Sequence, residues 1–382
     1  MATRSVALRG SVSSTAIAGQ AVSSGRFDVL VAALGSLLVG GVYLDGWAHL
    51  HTGLVDTFFT PWHGLLYLAY VALAAVLVGT VLRNRTAGFA GWRAIPLGYE
   101  PAVIGVAVFA LGGLGDMIWH LLFGIEIDLE ALLSPTHLVL ALGGGLMVSG
   151  PLRAAWSRTR EHRLSLRAFL PVLLSAAMIL SVMTFMTQYM HPFGTTWASA
   201  IRRPDMMLGP LAGAEISTGF SLISYFAFFE QLATLSGIVA QTAILMGIVL
   251  TMFRRWTLPV GSVALIMTVN ATLITVMRDR FLDTGPLPLI AVAALGGLTA
   301  DLLAARLRPF TGRPAALRLY AALVPAILYT LYVVALAVDG GVWWRVHLWM
   351  GAIALAAITG WLVSYLVTPP QLPMHTQAGG GA

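Results

Sequence analysis

The chain reads as an all-α integral membrane protein with about ten transmembrane helices, and three observations say so. Hydrophobic residues fill 58% of its 382 positions and charged residues only 10%, where a soluble domain carries about 25% charged. Mean hydropathy is +0.84. Apolar runs of about 20 residues, the length that crosses a bilayer, tile the sequence from about residue 29 to 367.

The runs predict spans at 29–50, 61–82, 99–122, 136–152, 169–189, 231–253, 258–277, 286–307, 316–338 and 345–367. Pro61, Pro135 and Pro286 stand near span starts, where a missing backbone N–H costs little. Residues 1–27 form an N-terminal tail, 28–367 one polytopic membrane domain, and 368–382 a C-terminal tail. The long connection is 190–230, and its aromatic run Phe220 to Phe229 suits an interfacial or re-entrant segment.

Charge sets the orientation. Every basic residue is Arg, and with the N-terminus inside, 17 of the 22 fall in inner segments, as the positive-inside rule requires. Both termini are then cytoplasmic, in a multi-pass protein of the cell membrane. The first apolar run starts late and contains Asp45 and His49, unlike a cleaved signal peptide. The net charge of +6 follows from these loop arginines, so topology rather than nucleic-acid binding accounts for it. With no Cys, thiolate metal sites and disulfides are excluded.

The histidines are polarised too. His49, His51, His63, His120, His137, His191 and His347 lie at or near outer span ends, whereas His162 and His375 lie inside. Acidic residues share the outward bias, among them Asp56, Glu126, Asp128, Glu130, Asp205 and Glu215. An acidic, His-rich face suits a cation site.

One pattern in that face occurs twice. Asp45-Gly-Trp-Ala-His49 is followed by Thr60-Pro61-Trp62-His63, and Asp116-Met-Ile-Trp-His120 by Ser134-Pro135-Thr136-His137. Asp and His four apart share a helix face, and the closing His opens the returning helix. Hairpins 28–83 and 99–152 thus read as a parallel repeat. An ionised Asp is unfavourable at a helix C-terminus and costly inside a span. Repeating that cost at Asp45 and Asp116 calls for a compensating cation. The predicted metal ligands are Asp45, His49, His63, Asp116, His120 and His137, in one centre or two. Two His and a carboxylate with open positions also suit iron or zinc.

The first copy, together with Val55-Asp56-Thr57-Phe58-Phe59, resembles the metal-binding segment of the C subunit of copper membrane monooxygenases, the particulate methane and ammonia monooxygenases. The resemblance spans Asp45 to His63. It implies copper as the metal, Asp45, His49 and His63 as its ligands, companion membrane subunits, and oxidation of a small apolar substrate entering from the bilayer. The second copy, the larger number of spans and a slightly longer first spacing depart from the family pattern.

Two other classes are open. A zinc-dependent hydrolase acting on a lipid-like substrate would need a spare carboxylate as base, for which Asp56, Glu126 or Asp128 could serve. A metal or proton transporter would need stations across the membrane, and no matching cluster stands at the inner end. Among further residues, His51 points away from His49 on a continuous helix. His191 ends span 5 on the correct side to join the site, and His347 suits an interfacial belt. Glu230 begins span 6 as a candidate intramembrane carboxylate. Met183, Met186 and Met190 suit packing, and Gly143-Gly144-Gly145 close helix contact.

Overall fold

The computed structural model describes residues 19–52, 60–124, 126, 129–158, 165–217, 220–278 and 285–369. It is helical, apart from a short antiparallel pairing of Glu215–Ser217 with Phe220–Ser221. The long helices are α1 (Gly25–His51), α2 (Pro61–Thr86), α3 (Glu100–Phe123), α4 (Pro135–Arg158, interrupted at Ser149) and α5 (Leu166–Met186). They continue with α6 (Leu222–Phe253), α7 (Ser262–Met277), α8 (Leu287–Leu307), α9 (Pro314–Val338) and α10 (Val346–Val367).

Among the described residues, nine of these are long and apolar enough to cross a membrane. The exception is α7, whose 16 residues reach about 24 Å at 1.5 Å per residue, less than the hydrocarbon thickness of roughly 30 Å. Large apolar side chains such as Leu37, Leu68, Leu111, Leu142 and Leu302 are exposed in mid-helix. A soluble protein would not leave such residues in water; on a multi-pass membrane protein they face lipid.

Side-chain caps start many helices. Ser24, Thr60, Ser134, Ser165 and Ser221 each accept the N–H three residues on, which satisfies an otherwise orphaned donor. The start of α6 corrects the sequence reading. The helix begins at Leu222 rather than 231, so most of the aromatic run to Phe229 forms its first turns and the 190–230 connection is shorter than expected. Its Ser221 cap is a start signal that composition alone hides.

Two apolar cores result. The smaller joins α1 to α4 through Val31, Leu38, Leu73, Leu77 and Phe109. The larger joins α1 and α5 to α10 through Tyr43, Leu173, Met246, Ile266 and Tyr320. The α3–α4 contact is close at Gly143, where a Cβ would stand 2.6 Å from the Phe109 backbone N. Likewise Gly46, beside Asp45, leaves room for Phe185 and Met277.

Buried aspartates show how this fold treats an acid it uses structurally. Asp301 on α8 accepts the backbone N–H groups of Gly261, Val263 and Ala264 at 3.0–3.1 Å, capping α7. Asp28 on α1 accepts from Tyr99 and Ser23 and pairs with Arg158. Each carboxylate is surrounded by donors.

Candidate metal centre

Asp45 and Asp116 are treated differently. Asp45 and His49 lie on the last turns of α1, and His63 is the third residue of α2. Asp45 Oδ2 is 3.5 Å from His49 Nε2 and 3.4 Å from His63 Nε2, while Asp45 Oδ1 is buried without a hydrogen-bond partner. In the second group, Asp116 Oδ2 is 3.6 Å from His120 Nε2, and Asp116 Oδ1 is 3.3 Å from His137 Nε2. The His ring centroids are 5.8 Å apart in both groups. Asp116 is 2% exposed, and Thr136 donates to its Oδ1 at 2.9 Å.

These separations are long for charge-assisted hydrogen bonds, which run about 2.7–2.9 Å. They match donors placed around one ion, because ligands on tetrahedral bonds of about 2.0–2.1 Å stand roughly 3.3 Å apart. In each group the three donor atoms lie within 4.8 Å of one another.

The outer ring nitrogens strengthen the match. His120 Nδ1 lies 3.1 Å from the Gly124 carbonyl, a group that can only accept, so Nδ1 carries a proton. When the ring is neutral, Nε2 presents its lone pair to the Asp116 carboxylate. A metal ion between that lone pair and the carboxylate would satisfy both. His63 Nδ1 is held by Thr60 Oγ1 at 3.1 Å, and His137 Nδ1 by Ser134 Oγ at 2.7 Å. In both hairpins one residue therefore caps the returning helix and orients the histidine that opens it, the outer-shell support a ligating imidazole requires.

The two groups share one end of the α1–α4 bundle. Asp45 is within electrostatic reach of Asp116, as is His49 of His120 and His137. Tyr67, one turn beyond His63, feels both aspartates, and its ring packs where Gly113 leaves α3 bare.

The structure therefore brings together all six residues singled out from sequence as ligands. It adds Glu126, whose Oε2 is 3.6 Å from His137 Nδ1 and whose Oε1 accepts from Trp119 at 2.5 Å. His51 turns back to the Trp47 carbonyl and stacks on that indole, outside the first group. His191 does not join either group; it lies buried near Phe193 in the larger core. His347 is the second residue of α10 and belongs to neither. Glu230 sits inside α6 rather than at its start, within reach of Arg202. Asp56, Asp128, His162 and His375 lie outside the described residues.

Fold and site together define a multi-pass helical membrane protein with two Asp/His/His groups able to hold a metal ion. Comparison with protein-family models, with curated proteins and with solved structures finds no match to this chain.

Proposed function

We propose that the chain is a membrane metalloprotein binding copper at Asp45/His49/His63 and at Asp116/His120/His137, and that it acts as a monooxygenase-like subunit on a small apolar substrate. The supporting observation is the pair of equal donor sets, each with a carboxylate facing imidazole nitrogens at 3.3–3.6 Å. In this reading α1–α2 and α3–α4 are a parallel repeat, supported by their common hairpin plan, and both sets face the extracytoplasmic side, supported by the Arg bias. Copper is chosen over iron or zinc through the resemblance of the Asp45–His63 segment to copper membrane monooxygenases; it would supply one-electron chemistry toward an apolar molecule arriving from lipid. The residues' own part is to fix ring orientation through Thr60, Ser134 and Gly124, and to balance the ion's charge with Asp45 and Asp116. Companion subunits belong to this reading.

The test is metal analysis with EPR on protein purified without chelator or metal-affinity tag. About two copper ions per chain are expected, with His63→Ala and His137→Ala each removing roughly one. Loss of both ions from either change would indicate one shared centre. No bound metal after reconstitution with copper, zinc and iron would overturn the reading.

A further inference from the structure

A cavity lies in the larger core, away from the two acid–histidine groups, between α5, α6, α7, α8 and α9. Its roof is not helical in the ordinary sense. The chain from His191 to Thr196 makes a single helical turn and is buried throughout, with Thr196 in the left-handed region at φ 47°. Irregular backbone inside a membrane protein is tolerated where protein covers it or where it lines a cavity. Both conditions hold here. Tyr332 donates to the Pro192 carbonyl at 3.1 Å and stacks on Phe193.

Three side chains bring unused hydrogen-bonding capacity to this space, one of them Thr242, which is buried on the wall with its Oγ1 unpartnered. Asn270 is 8% exposed, lines the cavity, and its Oδ1 has no hydrogen-bond partner. His191 is 6% exposed and takes the Phe193 N–H at its Nδ1, 3.1 Å away. Accepting at Nδ1 fixes the ring as the Nε2–H tautomer, and burial followed by the Arg278 guanidinium holds its pKa down at about 3, so the ring is neutral. Gln241, also on the wall, is already engaged with Thr184 and Thr187.

The rest of the wall is mainly apolar, including Met267 and Pro325, and carries no ionised side chain. Such a wall rejects ions, whose desolvation nothing would repay. The interior gives about 40 Å³ to the centre of a water-sized sphere, room for about three water-sized groups at roughly 10–15 Å³ each.

We propose that this cavity is a ligand site separate from the metal centre, holding a small neutral alcohol whose O–H donates to Asn270 Oδ1 and whose lone pair accepts from His191 Nε2–H. The alkyl part lies on the apolar wall. A bare water cluster matches the polar pair but leaves most of that wall against water, whereas an ethanol-sized molecule satisfies both, the usual make-up of a small-molecule pocket.

The test is ligand-observed fluorine NMR of 2-fluoroethanol titrated into the full chain in lipid nanodiscs, with fluoroethane as the probe lacking a hydroxyl. Saturable binding of 2-fluoroethanol is expected, at least about tenfold tighter than fluoroethane, since one unmade buried hydrogen bond is worth about that factor. Asn270→Leu should lose the preference for the hydroxyl. Ala293→Leu, which adds bulk to the cavity wall and keeps both polar groups, should abolish binding and leaves a usable result where Asn270→Leu does not fold. His63→Ala should bind the alcohol normally, which keeps this outcome separate from that of the metal reading. Signal loss that never saturates, or that is equal in wild type and Ala293→Leu, would place the alcohol in lipid and overturn the proposal. Equal affinity for the two probes would overturn it as well.

Discussion

Thr60 holds His63 twice: its Oγ1 accepts the His63 backbone N–H at 3.1 Å and lies 3.1 Å from the ring Nδ1. Helix start and ligand orientation thus depend on one oxygen. Thr60→Val keeps the shape and removes that oxygen. It should lower helix-cap stability by about 1 kcal/mol and metal affinity by about 10–100-fold, whereas Thr60→Ser should keep both. Titration of copper into metal-free protein, with thermal unfolding, reads the two effects. Equal copper affinity in Thr60→Val would show that the ring is oriented by something else.

Asp45→Asn separates a ligand from a structural acid. The buried, unpartnered Asp45 Oδ1 means that the charge is expensive without an ion. Metal-free Asp45→Asn should therefore be at least as stable as wild type. Stabilisation by added copper should shrink, because ligand binding to the folded state raises stability in proportion to affinity. Unchanged copper stabilisation in the variant would remove Asp45 from the ligand set. Asp301→Asn is the control: it disturbs an acid that accepts three backbone N–H groups, so it should destabilise with or without metal.

Much of this was legible from the chain, for definite reasons. A bilayer admits only helices and closed barrels, and apolar runs of about 20 residues select helices, while a four-residue spacing puts Asp45 with His49 and Asp116 with His120 regardless of tertiary detail. Pro61 and Pro135 marked the starts of the returning helices, but the part of Thr60 and Ser134, which cap those helices and orient the ring, needs the side-chain geometry. Glu126 reaches His137 across a connection whose path the sequence does not encode. His191 had the expected span end, yet packing against Phe193 and Tyr332 takes it into the larger core.

Sidedness has its own test, and the absence of Cys makes it clean. Thr52→Cys and Leu129→Cys, at the site end of the bundle, should react with an impermeant thiol reagent applied to intact cells. Thr86→Cys and Thr311→Cys should react only after permeabilisation. The reverse pattern would put the acid–histidine groups in the cytoplasm.

His191 gives stability a pH dependence. Its ordinary value of 6.5 is lowered to about 3 by burial and then by Arg278. Below about pH 6.5 the unfolded chain takes up a proton that the folded chain refuses. Stability should fall as pH drops from about 6.5 toward 3, by up to ~1.4 kcal/mol per unit, and be flat above. His191→Gln should lessen that slope in thermal unfolding between about pH 7 and 4; an identical slope would show that His191 is charged in the folded protein.

The cavity roof also has a history in synthesis. The backbone of the roof and of the stretch that follows it to residue 200 is closed by residues made much later: Tyr332 on the Pro192 carbonyl, Trp343 on the carbonyls of Ala198 and Trp197, and Gly341 accepting from the Ala200 N–H. A ribosome adding about 5–20 residues per second leaves that segment without these partners for many seconds after it emerges. Until α9 and the turn that follows it arrive, the polar groups of 191–200 must be kept wet or shielded by the insertion machinery. Chains stopped before Trp343 lack the donors that close the Trp197 and Ala198 carbonyls in the finished protein.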